Sequence, residues 1–195
     1  MSFEKMAFNI SRPSDWIFFY SKNAINFYFE SEVYDANFQY GVIGAGSSKA
    51  FHSLTGHEPN FIGKGNAEEV ALFINEKLNT ASFIFIKAKN SLSSIEKLLD
   101  ESIEQTAVEI YDNKIINNIE VPKCNLLVFT SPLNVQAWFS NYKIADEVIF
   151  AIGKTTAEAI QKYTTSKIIY CQHPSMENLY ENVVNYILEN RKQEQ

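Results

Sequence analysis

At 195 residues and 46% hydrophobic, the chain can bury one core or two small ones, and seven Gly and five Pro exclude a collagen-like or low-complexity polymer. With 17 basic and 23 acidic side chains the net charge is −6, and the only arginines are Arg12 and Arg191. No basic stripe exists to neutralise phosphates, which excludes a nucleic-acid binder.

Met1–Asn9 reads as a short strand, cut off by Arg12-Pro13. Ile17–Tyr20 is a continuous apolar run of the kind that a doubly covered parallel strand shows, and a helix follows over Asn23–Tyr34. Tyr40–Ile43 is the next strand, ending in Gly44-Ala45-Gly46-Ser47-Ser48; a helix starts near Ser48 and stops at Gly56, placed as a C′ glycine. Asn60–Ile62 is a short strand and Gly63-Lys64-Gly65 a turn. Asn66 caps a helix through Leu78, with Glu69 completing a capping box. Ser82–Ile86 is a strand, Ser91–Leu99 a helix, and Ala107–Ile116 an extended β-rich segment.

After the connector Asn117–Pro122 the pattern restarts. Strand Leu126–Phe129, turn Thr130-Ser131-Pro132 and helix Leu133–Asn141 lead to strand Glu147–Ile152 and turn Gly153-Lys154-Thr155-Thr156. Helix Ala157–Tyr163, strand Lys167–Tyr170, Ser175 as N-cap and a helix through Leu188 complete it, with Glu189–Gln195 as a frayed polar end. The restart is a copy. Trp16–Phe29 matches Leu126–Phe139 with Ser21 at the place of Ser131, and Val42-Ile43-Gly44 matches Ala151-Ile152-Gly153. In the same register Ser47 answers Thr156, and Asn66 answers Ser175. Such alternation predicts an α/β protein of two similar parallel-sheet units.

Ligands of open α/β sheets bind at the carboxyl ends of the strands, and helix mouths there offer free N–H groups to anions. Ser21, Ser47, Ser131 and Thr156 converge on one cleft if the units face each other. Ser47-Ser48 and Thr155-Thr156 also have the plainer reading of ordinary N-caps, and Lys22, Ser48, Asn66, Lys87, Thr155 and Ser175 complete the candidate set. Tyr111 is the isolated polar aromatic able to hang into such a cleft. Gly44–Ala50 is like a dinucleotide fingerprint, yet no acid closes the next strand, where Ile62-Gly63-Lys64 stands. No Gly-Lys-Ser/Thr has P-loop spacing, and no catalytic triad or carboxylate pair is readable.

Cys124 and Cys171 lack CxxC spacing, and His52, His57 and His173 lack metal-ligand spacing, which predicts a reduced, cytoplasmic protein with no metal. Met1–Pro13 has no apolar run of a secretory leader, and no run approaches the roughly 18 residues of a membrane span.

Phe129-Thr130-Ser131-Pro132 followed by Ala151-Ile152-Gly153-Lys154-Thr155-Thr156-Ala157-Glu158-Ala159 resembles the C-terminal half of uroporphyrinogen-III synthase, usually FTSPSAV and AIGPTTAEAL. His173–Leu179 is similar to that family's PS-x-E-x-L helix start, and Phe19–Ala24 agrees more loosely. The resemblance implies two flavodoxin-like α/β domains joined by a two-stranded β-ladder, here Met1–Ile10 against Ala107–Ile116. The domains are then 11–105 and 118–195, with ladder strands 1–10 and 106–117. It implies a cofactor-free lyase that closes hydroxymethylbilane to uroporphyrinogen III through a spiro intermediate, inverting the last pyrrole ring. Tyr111 then falls at a candidate proton donor, and Ser47 and Thr156 at cleft-lining hydroxyls.

Ile86-Lys87-Ala88 stands where the family has a Pro-Arg-Gly-like turn, and Lys154 where it has Pro. The family's first strand–helix unit, which completes the second sheet, is expected to be missing. A monomer is implied, or self-association if a partner supplies that strand. The alternative function is a non-catalytic module binding an anionic small molecule in the cleft.

Overall fold

The structure, a computed structural model, describes residues 1–10 and 14–191. The Arg12-Pro13 strand end and the last four polar residues lie outside the described residues. The chain divides into two compact units, Phe3–Lys114 and Ile115–Gln195, the latter with Met1–Ser2.

In the larger unit, runs of branched and aromatic residues form β2 (Trp16–Phe19), β3 (Gln39–Val42), β4 (Phe61–Ile62) and β5 (Phe83–Ala88). With β1 (Ser2–Lys5) and β6 (Gln105–Lys114) they make one sheet of order β1-β6-β5-β2-β3-β4. Pairing from β4 through to β6 is parallel, with Phe19 level with Ile86 and Ala88 level with Tyr111. All six β5 residues are buried, as a strand covered on both faces requires. β1 runs the other way, since Glu4 meets Lys114 while the Met6 N–H bonds Ile110 O.

Alternation sorts the side chains onto two faces. Ile17, Phe19, Ile84 and Ile86 pack with Ala24, Ile25 and Tyr28 of α1 (Lys22–Phe29) and Phe51 of α2 (Ala45–Thr55). Phe18, Phe83 and Phe85 pack with Val70, Ala71 and Ile74 of α3 (Ala67–Lys77). Helices on both faces make the parallel α/β arrangement that the alternation predicted.

The segment expected as helix Ser91–Leu99 is instead a strap with one 3₁₀ turn at Glu96–Leu98. Ser93 takes a φ of 52°, left-handed backbone that a right-handed helix cannot contain. Its Ile95 is fully buried against α3 and β5, which is why the segment looked amphipathic.

The smaller unit repeats the plan with three parallel strands, β7 (Leu126–Phe129), β8 (Val148–Ala151) and β9 (Ile168–Tyr170). Leu127, Phe129, Ile149 and Ala151 pack with Val135 of α4 (Pro132–Phe139) and with Ala157 and Ile160 of α5 (Lys154–Gln161). Phe150 and Cys171 pack with Leu179, Val183 and Tyr186 of α6 (Met176–Arg191) on the other face. The polar end therefore stays helical to Arg191 rather than fraying from Glu189.

Candidate functional site

The duplication seen in sequence holds at backbone level. Ser21 and Ser131 have nearly the same conformation, φ −162° with ψ 162° and φ −163° with ψ 156°, and each caps its helix. Ser21 Oγ accepts from Ala24 N at 3.1 Å, and Ser131 Oγ from Asn134 N at 3.2 Å. Lys22 opens α1 with its side chain exposed.

The second helix of each unit begins differently from expectation. The N-caps are Gly44 and Gly153, with φ −177° and −174° and no side-chain cap. Helices α2 and α5 therefore start three residues earlier than the sequence pattern placed them, and Ser47-Ser48 and Thr155-Thr156 sit inside the first turn rather than capping it. A glycine cap gives the sequence no hydroxyl to read. It also leaves the helix mouth without a side chain over its first N–H groups. Ser47, Ser48 and Thr156 are buried beneath these mouths, while Thr155 is exposed. Ser48 Oγ donates to Glu58 Oε2 at 3.5 Å.

Close backbone packing holds the strand-end turns. A Cβ on Gly63 would lie 2.7 Å from Ile43 O, and one on Gly153 would lie 2.7 Å from Pro174 Cγ. Asn66 and Ser175 cap the following helices, accepting from Glu68 N at 2.9 Å and Asn178 N at 3.0 Å. Glu69 instead pairs with Lys64 at 2.6 Å.

Tyr111 meets Ser21 at the carboxyl ends of β6 and β2. Its hydroxyl lies 2.9 Å from Ser21 Oγ, its ring stacks on Phe27 at 5.3 Å, and the residue is 5% exposed. Burial pushes the phenol above its ordinary range, against a smaller opposing effect of the Ser21 hydrogen bond. Ser21 Oγ accepts the Ala24 N–H and keeps a second lone pair, so either hydroxyl can donate to the other; when Ser21 donates, the phenol proton is released for another acceptor.

Lys87 is not open at the rim. It is 5% exposed and donates to Glu96 Oε1 and Ser93 Oγ, each at 2.6 Å. The Tyr20 hydroxyl donates to the other Glu96 oxygen and accepts from Ile95 N at 2.9 Å. Burial, then Glu96, pushes the Tyr20 phenol far up. Tyr20, Ser93 and Glu96 escaped the sequence reading because only the three-dimensional path of the strap brings Glu96 to Lys87. Among the described residues no three His, Cys, Asp or Glu gather as metal ligands, and no helix is long and apolar enough to cross a membrane.

A sequence profile of the family described as uroporphyrinogen-III synthase HemD matches residues 3–181. Among solved structures, the uroporphyrinogen-III synthetase of Helicobacter pylori 26695 is similar at 20% identity with a TM-score of 0.67, over 94% of this chain and 90% of that one. A mutant uroporphyrinogen III synthase from the extremely thermophilic bacterium Thermus thermophilus is similar at 15% identity with a TM-score of 0.59, over 92% of this chain and 79% of that one. No curated protein matches the chain.

Proposed function

The chain belongs to the uroporphyrinogen-III synthase family, and on that premise we propose how its residues carry the reaction. The activity is the cyclisation of hydroxymethylbilane to uroporphyrinogen III, a lyase step of tetrapyrrole biosynthesis; the family match over residues 3–181 is the observation that carries it.

In this reading the two units are domains joined by the β1–β6 pair acting as a ladder, and each has strand-end turns able to hold carboxylates. The substrate bears many carboxylates while the protein is acidic at −6, so long-range attraction does not supply the affinity. Local donors do. The uncapped mouths of α2 and α5 each contribute roughly 0.3–1 kcal/mol toward an anion, up to about 2 where partly buried. Ser21, Ser47, Ser48, Asn66, Ser131, Thr155, Thr156 and Ser175 add hydrogen bonds around them, and Lys22 and Lys87 are the cations, Lys22 exposed and Lys87 closed off by Glu96 in this conformation.

Tyr111 donates its phenol proton to the departing hydroxyl, which leaves as water, and Ser21 holds the phenol in place. Attack by the substituted carbon of the last pyrrole forms the spiro intermediate, and the ring's original methylene bond then breaks. Closure at its free α-carbon expels the proton that restores the Tyr111 phenol. Each bond depends on orientation, and a well-aligned intramolecular reaction can gain roughly 7–11 kcal/mol from positioning alone. The enzyme works as a cytoplasmic monomer.

The test is the consumption of freshly prepared hydroxymethylbilane. The chain should accelerate it above the spontaneous rate; consumption at the spontaneous rate alone refutes the reading.

A further inference from the structure

The Lys87 arrangement is left unexplained by the hydroxyl sites. Lys87 follows Phe83 and Phe85 on the sheet face closed by α3, an otherwise apolar surface. Its side chain is 6% exposed and that of Glu96 is 12% exposed. A buried ion pair has no stability advantage over a well-packed apolar pair, because both charges give up water. Stability alone therefore does not account for a lysine here.

The partner sits on a segment that is fastened at one end and open at the other. Ile95 is fully buried and its N–H bonds Tyr20, while Leu92 is 67% exposed. Between them Ser93 holds its φ of 52°, a strained conformation for a residue with a side chain. Ile95 holds the strap in the core, and beside it a carboxylate, a phenol and a hydroxyl gather around Lys87 at the carboxyl ends of β2 and β5, where ligands of open sheets bind.

We propose that Glu96 occupies on Lys87 the place of a ligand carboxylate, so that this side chain is an internal competitor which a polycarboxylate must displace. The exchange trades one carboxylate for another, so the buried ammonium keeps a charged acceptor throughout. Glu96 turns away about its own side-chain bonds while Ile95 stays buried and holds the backbone in place. The identity of the ligand as a tetrapyrrole polycarboxylate rests on the synthase reading; the exchange itself rests on the geometry.

Titration of the intact chain with uroporphyrin III, followed by tryptophan fluorescence, tests the exchange without turnover. Glu96→Gln removes the competing charge and should tighten binding about threefold or more, lowering KM for hydroxymethylbilane with kcat nearly constant. The Lys87→Met/Glu96→Gln double variant keeps an acceptor for the Tyr20 hydroxyl, removes cation and competing charge together, and should bind about tenfold more weakly than wild type. If the double variant binds as wild type does, or if no form binds uroporphyrin, the proposal is overturned, and in the first case the pair is only a fastening. If Glu96→Gln fails to fold, Glu96→Asp, whose shorter side chain weakens the contact with Lys87, takes its place and should likewise tighten binding; unchanged or weaker binding overturns the proposal. The expected titrations with no turnover of hydroxymethylbilane would overturn the synthase reading and leave the exchange standing.

Discussion

Tyr111 is the residue on which the proposed chemistry turns. Its phenol is buried, stacked on Phe27 and held by a capping serine, so it keeps its proton at neutral pH. Tyr111→Phe retains the stacking and removes only the hydroxyl. It should lower kcat at least several-fold with KM little changed, and unchanged turnover would make Tyr111 structural. A raised value means that the folded protein holds the proton more tightly than a free phenol does, so the donor form persists to higher pH than in the unfolded chain and is lost as pH rises through the folded value. The kcat profile should therefore show no alkaline limb below pH 10 that Tyr111→Phe abolishes. Sequence pattern picked out Tyr111 as an isolated polar aromatic in the extended segment after the first unit. It gave no hint of Glu96, because that partnership depends on where a non-helical strap crosses the sheet.

Among the elements, the central strands are legible because each is a compact apolar run, and β2, β5 and β7 lie within two residues of expectation. Helix starts at Ser21, Asn66 and Ser131 are legible because a polar side chain makes the cap. The starts of α2 and α5 are not, since a glycine cap leaves only backbone geometry. The strap was misread because Ile95 and its neighbours supply helical apolar spacing without helical backbone at Ser93.

One further tie sets the register of β2 against β5. Ser82 N and Ser82 Oγ both donate to Asp15 Oδ2 at 2.8 Å, and Asp15 N donates to Ser82 Oγ at 3.0 Å. The backbone bond first, then the hydroxyl, holds the Asp15 carboxyl below its ordinary 3.8. A lowered value stabilises the fold fully above the unfolded pKa and is lost as pH falls through the folded one. Urea midpoints measured from pH 5 downward should fall less steeply for Asp15→Asn than for wild type; equal slopes would remove Asp15 from the account.

For the whole molecule, the two units repeat one design with separate cores, and the duplication extends to the conformations of Ser21 and Ser131 and of Gly44 and Gly153. The charge of −6 makes affinity for a polycarboxylate a matter of short-range donors. Salt screens charges beyond about 8 Å at 0.15 M, so raising ionic strength should remove repulsion and leave KM level or lower. A KM rising steeply with salt would reveal long-range attraction that the composition does not provide.

The central claim is that these two units steer ring closure, and the isomer of the product reports it directly. Hydroxymethylbilane incubated with the chain, oxidised and separated by chromatography should give predominantly the type III porphyrin, at a rate proportional to protein. Type I porphyrin alone, formed at the rate seen without protein, would contradict the account.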